Sequence, residues 1–515
     1  MTSSRSPAGV AAVLFALAIL SGCSSANAPQ RAQASGPGTD AELGSVLDRT
    51  LKRGQTAPGY FVARVVELKT GRELYAVDAD KPVMPASNGK LAVSAAVLDF
   101  FGPDHAFKTY LARDGDDLWV IGTGDPGLGD NTLAKAVGDT TMSVLDRWAE
   151  ALASRGVTHF GGHLYYYDRA LDDQRTHPTW SRGYITDWYA APVSGLNFNN
   201  NCIDVSVRPT KEGEPVDYTV VPPTKGVQII NDCKTGQGEP PDVTREMAAN
   251  VFTIRGATTK PVKIKSEAVV DPGAFFADAL RTHLASKGIT VAGETRRADR
   301  PLGGQLEPPG GKILAVHETK LSDGLGRVNK QSQNNFAEAY CKLLGRAYRQ
   351  KQGKDEPGSW PAGSEATLAF LHRNGIDTTG YVCADGSGLS RENRVTARVI
   401  SELLATMWSH PQKRAWFDSL SIAYQDGTIS RRLPDLKGRV RAKTGYIGGV
   451  RSLSGYVKTD AGDWLAFSII YNGFRGSEKP YEDMQDNAVR VLAAWPKIIP
   501  APPPTPTTSS VAAAR

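Results

Sequence analysis

Three short stretches of this chain carry residue types able to do chemistry together. In "PASNGKLAVSAAVL" (85–98), Ser87 stands three residues before Lys90, at the start of an apolar helical run. On a helix, residues i and i+3 share a face. If that face is buried, Lys90 finds a partner or loses its charge, because desolvation disfavours the ammonium form. A neutral amine beside a hydroxyl is a general base beside a nucleophile. Taken alone, the pair also reads as a surface lysine in the first turn of a core helix. In "VNKQSQNNFAEAYCKLLG", Ser332, Gln333 and Asn334 stand immediately before an amphipathic helix, where serine and asparagine commonly serve as caps. In "GRVRAKTGYIGGVRSLSGYV", Lys443-Thr444-Gly445 ends one expected strand just before a second. Glycine there lets a ligand approach the backbone closely, and the lysine can draw a carboxylate to the strand edge. A rival Lys69-Thr70-Gly71 lies in an expected hairpin and reads as a plain strand–turn–strand connection.

The elements that must position these residues are legible in outline. "YFVARVVEL" and "RELYAVD" predict a hairpin just before the Ser87 helix. From about 106 to 314 the chain mixes short strands ("DDLWVIG", "HLYYYD", "CIDVSVRP", "DYTVV", "NVFTIRG") with two helical stretches, "LDRWAEALASRG" and "GAFFADALRTHLASKG". Helices dominate again from "LSDGLGRVNKQSQ" onward. Strands then return in "GRVRAK", "RSLSGYVKT" and "WLAFSIIYN", before a last helix around "YEDMQDNAVRVLAAW". Helices and strands at both ends with a mostly β middle predict an α/β domain carrying a large insertion. The expected division is a discontinuous domain of 43–105 and 315–496, with 106–314 inserted.

Two further motifs do not carry their usual chemistry. "GTGDPG" (122–127) matches G-x-G-x-x-G, but Pro126 removes a backbone N–H that a phosphate-binding turn needs, and another turn follows where a helix should start. "HFGGH" (159–163) spaces two histidines as metal ligands, but its glycines oppose the helix that would bring them together.

At 515 residues and 40% hydrophobic, the chain can bury large cores and divide into more than one domain. A net charge of +6 without a lysine- or arginine-dense run argues against nucleic acid as a partner. The N-terminus, "MTSSRSPAGVAAVLFALAILSGC", has a basic residue and then an apolar run too short for a membrane span, as in a secretory signal (1–22). Its end, Leu20-Ser21-Gly22-Cys23, resembles the bacterial lipobox, which implies lipidation of Cys23 and a membrane anchor on the extracytoplasmic side. Residues 23–42 are then a lipidated cysteine and flexible tether, and 497–515 a Pro/Thr/Ala tail too biased to pack. Export leaves Cys202, Cys233, Cys341 and Cys383, an even number suited to two disulfides in an oxidising compartment. Sequence order suggests Cys202–Cys233 and Cys341–Cys383, with other pairings open. Neither C-x-x-C spacing nor a nearby histidine pattern supports zinc.

Order decides between the two Lys-Thr-Gly copies. Ser-x-x-Lys, then Ser-x-Asn, then Lys-Thr-Gly is the series found in penicillin-binding proteins and serine β-lactamases, and only Lys443 falls last. From about 43 to 496 the chain resembles the class C low-molecular-mass penicillin-binding proteins. These are the D-alanyl-D-alanine carboxypeptidases and endopeptidases of peptidase family S13, typified by penicillin-binding protein 4. Family-like text includes "PASNGKL", "IGTGDPGL", "WYAAPVSGLNFNNNCIDV", "DGSGLSRENRVT" and "RVRAKTG". The long interval between Ser87 and Ser332 leaves room for the inserted domains that set this family apart.

The resemblance implies a serine β-lactamase/transpeptidase-like fold, α/β (α+β), with an antiparallel sheet flanked by helices and a large insertion of one or two subdomains. It implies cleavage of peptidoglycan stem peptides ending in D-Ala-D-Ala, and acylation by β-lactams, through Ser87. Lys90 is then the base and Asn334 its partner. Ser332 relays a proton to the leaving amine, and Lys443 and Thr444 read the terminal carboxylate. The oxyanion hole comes from the N–H groups of Ser87 and Tyr446, with Gly445 between Thr444 and Tyr446. No metal or cofactor is needed. Arg391, in "DGSGLSR", is expected either at the substrate or in a structural ion pair. Two departures stand out: Tyr446 replaces the usual threonine or serine after Lys-Thr-Gly, and Gly183 and Tyr184 occupy the place of an acidic pair, with Asp187 displaced. The alternatives are a β-lactamase or esterase on the same scaffold, and a non-catalytic peptidoglycan-binding lipoprotein. The long insertion and the missing deacylating carboxylate motif oppose the first, and the intact catalytic set opposes the second.

Overall fold

Strands buried on both faces divide their side chains between two cores, and that division organises the molecule. The computed structural model describes residues 38–52, 59–299 and 311–497; Cys23, the signal segment and the expected tail beyond Lys497 lie outside them. The framework strands are β1 (Tyr60–Glu67), β2 (Glu73–Val77), β3 (Ser421–Ile422), β4 (Val440–Ile447), β5 (Val450–Lys458) and β6 (Trp464–Asn472). They form one antiparallel sheet in the order β3-β4-β5-β6-β1-β2. Along β6, Ala466 and Ile470 enter one core while Leu465, Phe467, Ile469 and Tyr471 enter the other. This is the two-residue period of a pleated strand.

The framework helices are α1 (Asp40–Lys52), α2 (Lys90–Phe101), α3 (Asn334–Lys351), α4 (Trp360–Arg373), α5 (Ala397–Ser409) and α6 (Lys479–Ala494). α1 and α6 cover one face of the sheet, and α2 to α5 the other. α2 is apolar all round because it runs through the middle of the larger core. Its nine residues from Lys90 to Leu98 are all buried, and it stops at Gly102, whose φ of 78° few other residues adopt. α1 begins at Asp40, three residues before the expected boundary at 43.

The inserted segment has its own core. Its largest sheet has five strands in the order Thr295–Arg297, Leu164–Tyr167, Asp117–Gly122, Ala106–Asp114, Lys312–Lys320. The helices Ser143–Ala153 and Pro272–Ser286 pack against it. Smaller strand groups lie between 202 and 268, among them the expected Cys202–Arg208, Asp217–Val221 and Val251–Arg255. Lys312–Lys320 pairs with Ala106–Asp114 along its length, so this ladder runs across the expected boundary at 314. A strand cannot be divided between domains without breaking its ladder. No described helix is long and apolar enough to cross a membrane.

The two expected disulfides are not formed: all four cysteines are buried free thiols. Cys202 packs with Ala191 and Ala268 and donates to the Asn200 carbonyl at 3.4 Å, whereas Cys233 belongs to the separate core containing Val243 and Phe252. Nearness in sequence did not put them in one cluster. Cys341 and Cys383 do share a core. There a hydrogen bond to Cys383, together with burial, pushes the Cys341 thiol well above its ordinary range, so this pair meets in space as reduced thiols.

Candidate active site

Ser87 lies on a short 3-10 turn, Ala86–Gly89, that runs directly into α2 at Lys90. Ala86 has φ of 48°, a conformation a non-glycine residue holds only where its surroundings enforce it. Those surroundings are visible. The Pro85 carbonyl accepts from Ser452 Oγ at 2.8 Å, and Asn88 Nδ2 donates to Ser454 Oγ at 2.6 Å, tying the turn to β5. Gly388 presses on the other side, where a Cβ would come within 1.9 Å of the Ala86 carbonyl. Ser87 is therefore presented half-buried on an over-determined turn.

Lys90 has no solvent exposure. Its Nζ donates to Ser87 Oγ at 2.9 Å, to Asn334 Oδ1 at 2.6 Å and to the Ser387 carbonyl at 2.7 Å. Burial pulls its pKa down to about 7, against the opposing attraction of the Glu338 and Asp385 carboxylates. The lysine and serine expected to share a face do so.

The second motif lies opposite. Ser332 precedes α3 with φ of 59°, and its hydroxyl accepts from Lys443 Nζ at 2.8 Å. Asn334 opens α3 and splits its amide: Oδ1 takes Lys90, and Nδ2 donates to the Tyr189 carbonyl at 2.6 Å. Its role is a bridge between walls of the site, not a helix cap. Lys443 also donates to the Thr444 carbonyl at 2.7 Å. It is fully buried, and burial followed by repulsion from Lys90 pushes its pKa well below the ordinary lysine range.

Lys443-Thr444-Gly445-Tyr446 was expected at a strand end. It lies inside β4, which continues to Ile447 and pairs with β5 throughout. Gly445 is a matter of space: a Cβ there would lie 2.2 Å from Ser452 Oγ and 2.9 Å from the Ser87 nitrogen. Thr444 Oγ1 donates to Thr428 Oγ1 at 2.8 Å. Tyr446 is half exposed, and the Arg451 guanidinium lies 5.8 Å from its ring centre while also pairing with Glu482. Lys69-Thr70-Gly71 is an exposed hairpin turn between β1 and β2.

Ser87, Ser332, Asn334, Thr444, Gly445 and Tyr446 line one cavity of about 670 Å³. Tyr184, Trp188 and Tyr189 also line it, with Tyr189 in edge-to-face contact with each of the other two. Arg391 does not line it; its guanidinium donates to the Gly448 carbonyl at 2.8 Å and braces the β4–β5 turn. Asp187 is also absent from the lining, accepting from the Tyr189 hydroxyl at 2.9 Å and pairing with Lys265. Among the described residues, no carboxylate lines the cavity.

Residues missed in the sequence stand behind the motifs. Glu338, Asp385 and Ser387 hold the loop against Lys90, and Ser452 holds the Ser87 turn. Glu338 left a signal, an acid within the apolar run "NNFAEAYCKLL"; Asp385, Ser387 and Ser452 lie inside stretches quoted above, "DGSGLSRENRVT" and "GRVRAKTGYIGGVRSLSGYV", but nothing in those stretches marked them individually. The GTGDPG segment is structural: Asp125 caps Gly127 and accepts from Thr319, and a Cβ at Gly122 or Gly127 would strike its neighbours. Among the described residues, no group of His, Cys, Asp and Glu is arranged to hold a metal ion.

A helix-flanked antiparallel sheet, with a serine–lysine pair at the head of its central helix, defines a serine hydrolase of the penicillin-binding class. The model of the D-Ala-D-Ala carboxypeptidase 3 (S13) family matches residues 43–495, and the chain belongs to that family. The D-alanyl-D-alanine carboxypeptidase of Actinomadura sp. (strain R39) is 32% identical over 503 residues, covering 92% of this chain and 89% of that protein. The D-alanyl-D-alanine carboxypeptidase DacB of Haemophilus influenzae is 26% identical over 411 residues, covering 76% and 81%. In fold, the crystal structure of penicillin binding protein 4 from Haemophilus influenzae matches with a TM-score of 0.71 at 23% identity, over 87% of this chain and 99% of that one. The chain is thus a serine-type D-Ala-D-Ala carboxypeptidase, a hydrolase of peptidoglycan stem peptides.

Proposed function

We propose that Ser87 forms the acyl-enzyme and that Lys90, in its neutral form, takes its proton. The observation carrying this reading is the 2.9 Å contact between Lys90 Nζ and Ser87 Oγ, with the other two contacts of the amine directed at Asn334 and Ser387. A neutral amine has two N–H bonds and one lone pair. With both N–H bonds spent on the two carbonyl oxygens, the lone pair faces the serine hydroxyl. Ser87 Oγ attacks the carbonyl carbon of the penultimate D-alanine as its proton passes to Lys90. The N–H groups of Ser87 and Tyr446 stabilise the resulting oxyanion. Collapse breaks the peptide bond as Ser332 passes its hydroxyl proton to the departing D-alanine amine, and the proton held by Lys90 returns to Ser332, leaving Lys90 neutral to take a proton from the attacking water and pass it to Ser87 Oγ. Water then attacks the ester, releasing the shortened stem peptide and restoring Ser87.

Lys443 and Thr444 receive the terminal carboxylate. Lys443 lacks an acidic partner among its hydrogen bonds, so an entering carboxylate supplies the missing countercharge. β-Lactams acylate Ser87 by the same route, the opened ring remaining attached. Endopeptidase action requires only that the leaving amine belong to a cross-linking residue. Cys23 anchors the enzyme by lipid on the extracytoplasmic side of a bacterial membrane, a reading supported by the "LSGC" sequence.

A fluorescent penicillin should label the protein covalently, and Ser87→Ala should abolish that labelling. Undiminished labelling of the variant would refute the assignment. Mass spectrometry of products from purified muropeptides then reports whether terminal D-alanine, a cross-link or both are cut.

A further inference from the structure

We propose that Glu338 is a positioning residue for the reaction: its buried carboxylate builds the loop that receives the Lys90 amine and supplies the negative charge behind it. This rests on the reading of Lys90 as the base.

Glu338 lies one helical turn beyond Asn334 on α3, so the two share a face. Asn334 touches Lys90 directly, whereas Glu338 works one layer back. It has no solvent exposure, and three donors converge on it: the Gly386 and Ser387 N–H groups, each at 2.8 Å, and Trp360 Nε1 at 2.6 Å. Asp385 repeats the arrangement, accepting from Gly388 N at 2.7 Å, Ser390 N at 2.6 Å, Asn393 Nδ2 at 2.8 Å and Trp180 Nε1 at 2.8 Å. The loop from 385 to 390 is thus wrapped on two buried carboxylates, each also held by a tryptophan indole. Its product is one carbonyl, that of Ser387, aimed at Lys90 Nζ.

Neither carboxylate hydrogen-bonds Lys90. A carboxylate in direct contact would hold the ammonium form and leave it useless as a base. Burial with no countercharge would instead leave a neutral amine too weakly basic to take the proton. Charge placed behind a neutral carbonyl sets a compromise, with the amine titrating near the working pH, where a general base is most effective. The surrounding groups are accounted for. Lys90 faces Lys443 on β4; Glu338 faces Asp385, with Lys342 and Cys341 further along α3; Asp385 faces His177, which Glu392 and Lys342 also influence. Burial, then the Asp385 carboxylate, raises Glu338 to about 7, against the Ser387, Trp360 and Gly386 donors, which favour its charged form.

The test is the pH profile of acylation by a chromogenic cephalosporin, across about pH 5 to 9, with the full chain. Glu338→Gln removes the charge, so Lys90 becomes neutral at lower pH. The acid limb should move down by about half a unit to one unit. Glu338→Asp keeps the charge and should keep the limb in place even if the plateau falls. Trp360→Phe removes one donor from the carboxylate, raises its pKa and should shift the limb in the same direction by less. Since it keeps a large ring in the core, it decides the matter if Glu338→Gln does not fold. A Glu338→Gln limb coincident with the wild type, or an equal shift in Glu338→Asp, overturns the proposal. The same holds for an unmoved limb in Trp360→Phe. Loss of the acid limb in Lys90→Met is required by the underlying reading; a limb retained there refutes the base assignment instead.

Discussion

Lys443 Nζ donates to the Ser332 hydroxyl at 2.8 Å, which joins strand β4 to the turn before α3 across the mouth of the site. The contact makes one unit of two motifs far apart in the chain. It fixes the Ser332 hydroxyl against a fully buried amine, so the two roles proposed above, proton delivery to the leaving amine and reception of the terminal carboxylate, fall on adjoining groups.

Lys443→Ala should therefore slow acylation by D-Ala-D-Ala peptides by roughly 30-fold or more, since it leaves a substrate carboxylate without its charge partner. Lys69→Ala, at the exposed turn of the other Lys-Thr-Gly copy, should leave the rate unchanged. Acylation rates measured side by side distinguish the two copies, and the reverse ranking would show that the hairpin copy is the functional one.

The acylation rate should rise with pH through about 7, the value to which burial lowers Lys90. The sign follows from the base. Below that pH the amine is protonated and has no lone pair; above it, the neutral form dominates. Between pH 8 and pH 6 the neutral fraction, and hence the rate, should fall roughly tenfold. Stopped-flow acylation at constant ionic strength reads this directly, and a pH-independent rate would exclude Lys90 as the base.

Gly445→Ala places a methyl group 2.9 Å from the Ser87 nitrogen and 3.0 Å from the Pro85 carbonyl. Both obstacles are backbone atoms, so β4 must move away from the serine turn. A stability loss of about 1–3 kcal/mol is expected, with a disproportionately larger loss of acylation because the oxyanion donors separate. Thermal melts and penicillin-labelling rates of the same sample separate the two effects.

Cys23→Ser should release a protein that still binds penicillin, because the described fold begins at residue 38 and the site is built wholly within it. Detergent-phase partitioning of the wild type and aqueous partitioning of the variant would establish the anchor. Identical partitioning would refute it.

The three motifs, their order and the alternation of helices and strands were legible in the sequence, because spacing along one element survives folding. Ser87 and Lys90 are a helical turn apart wherever that helix lies. The three aligned apolar strands β1, β5 and β6 likewise follow from local pattern. What tertiary structure decided is which distant groups meet. Cys202 and Cys233 were read as partners from their order, yet they lie in separate clusters. The sequence leaves Arg391 between a substrate contact and a salt bridge, and only the folded chain brings it to the Gly448 carbonyl at the cavity edge. Glu338 showed only as an acid in an apolar run, and neither its three donors nor its place behind Lys90 follows from that pattern. Residue type and spacing determine what a side chain is able to do. Its protonation and partners depend on burial and on charges brought in by other elements, and those exist only once α2, α3, the 385–390 loop and β4 have packed together.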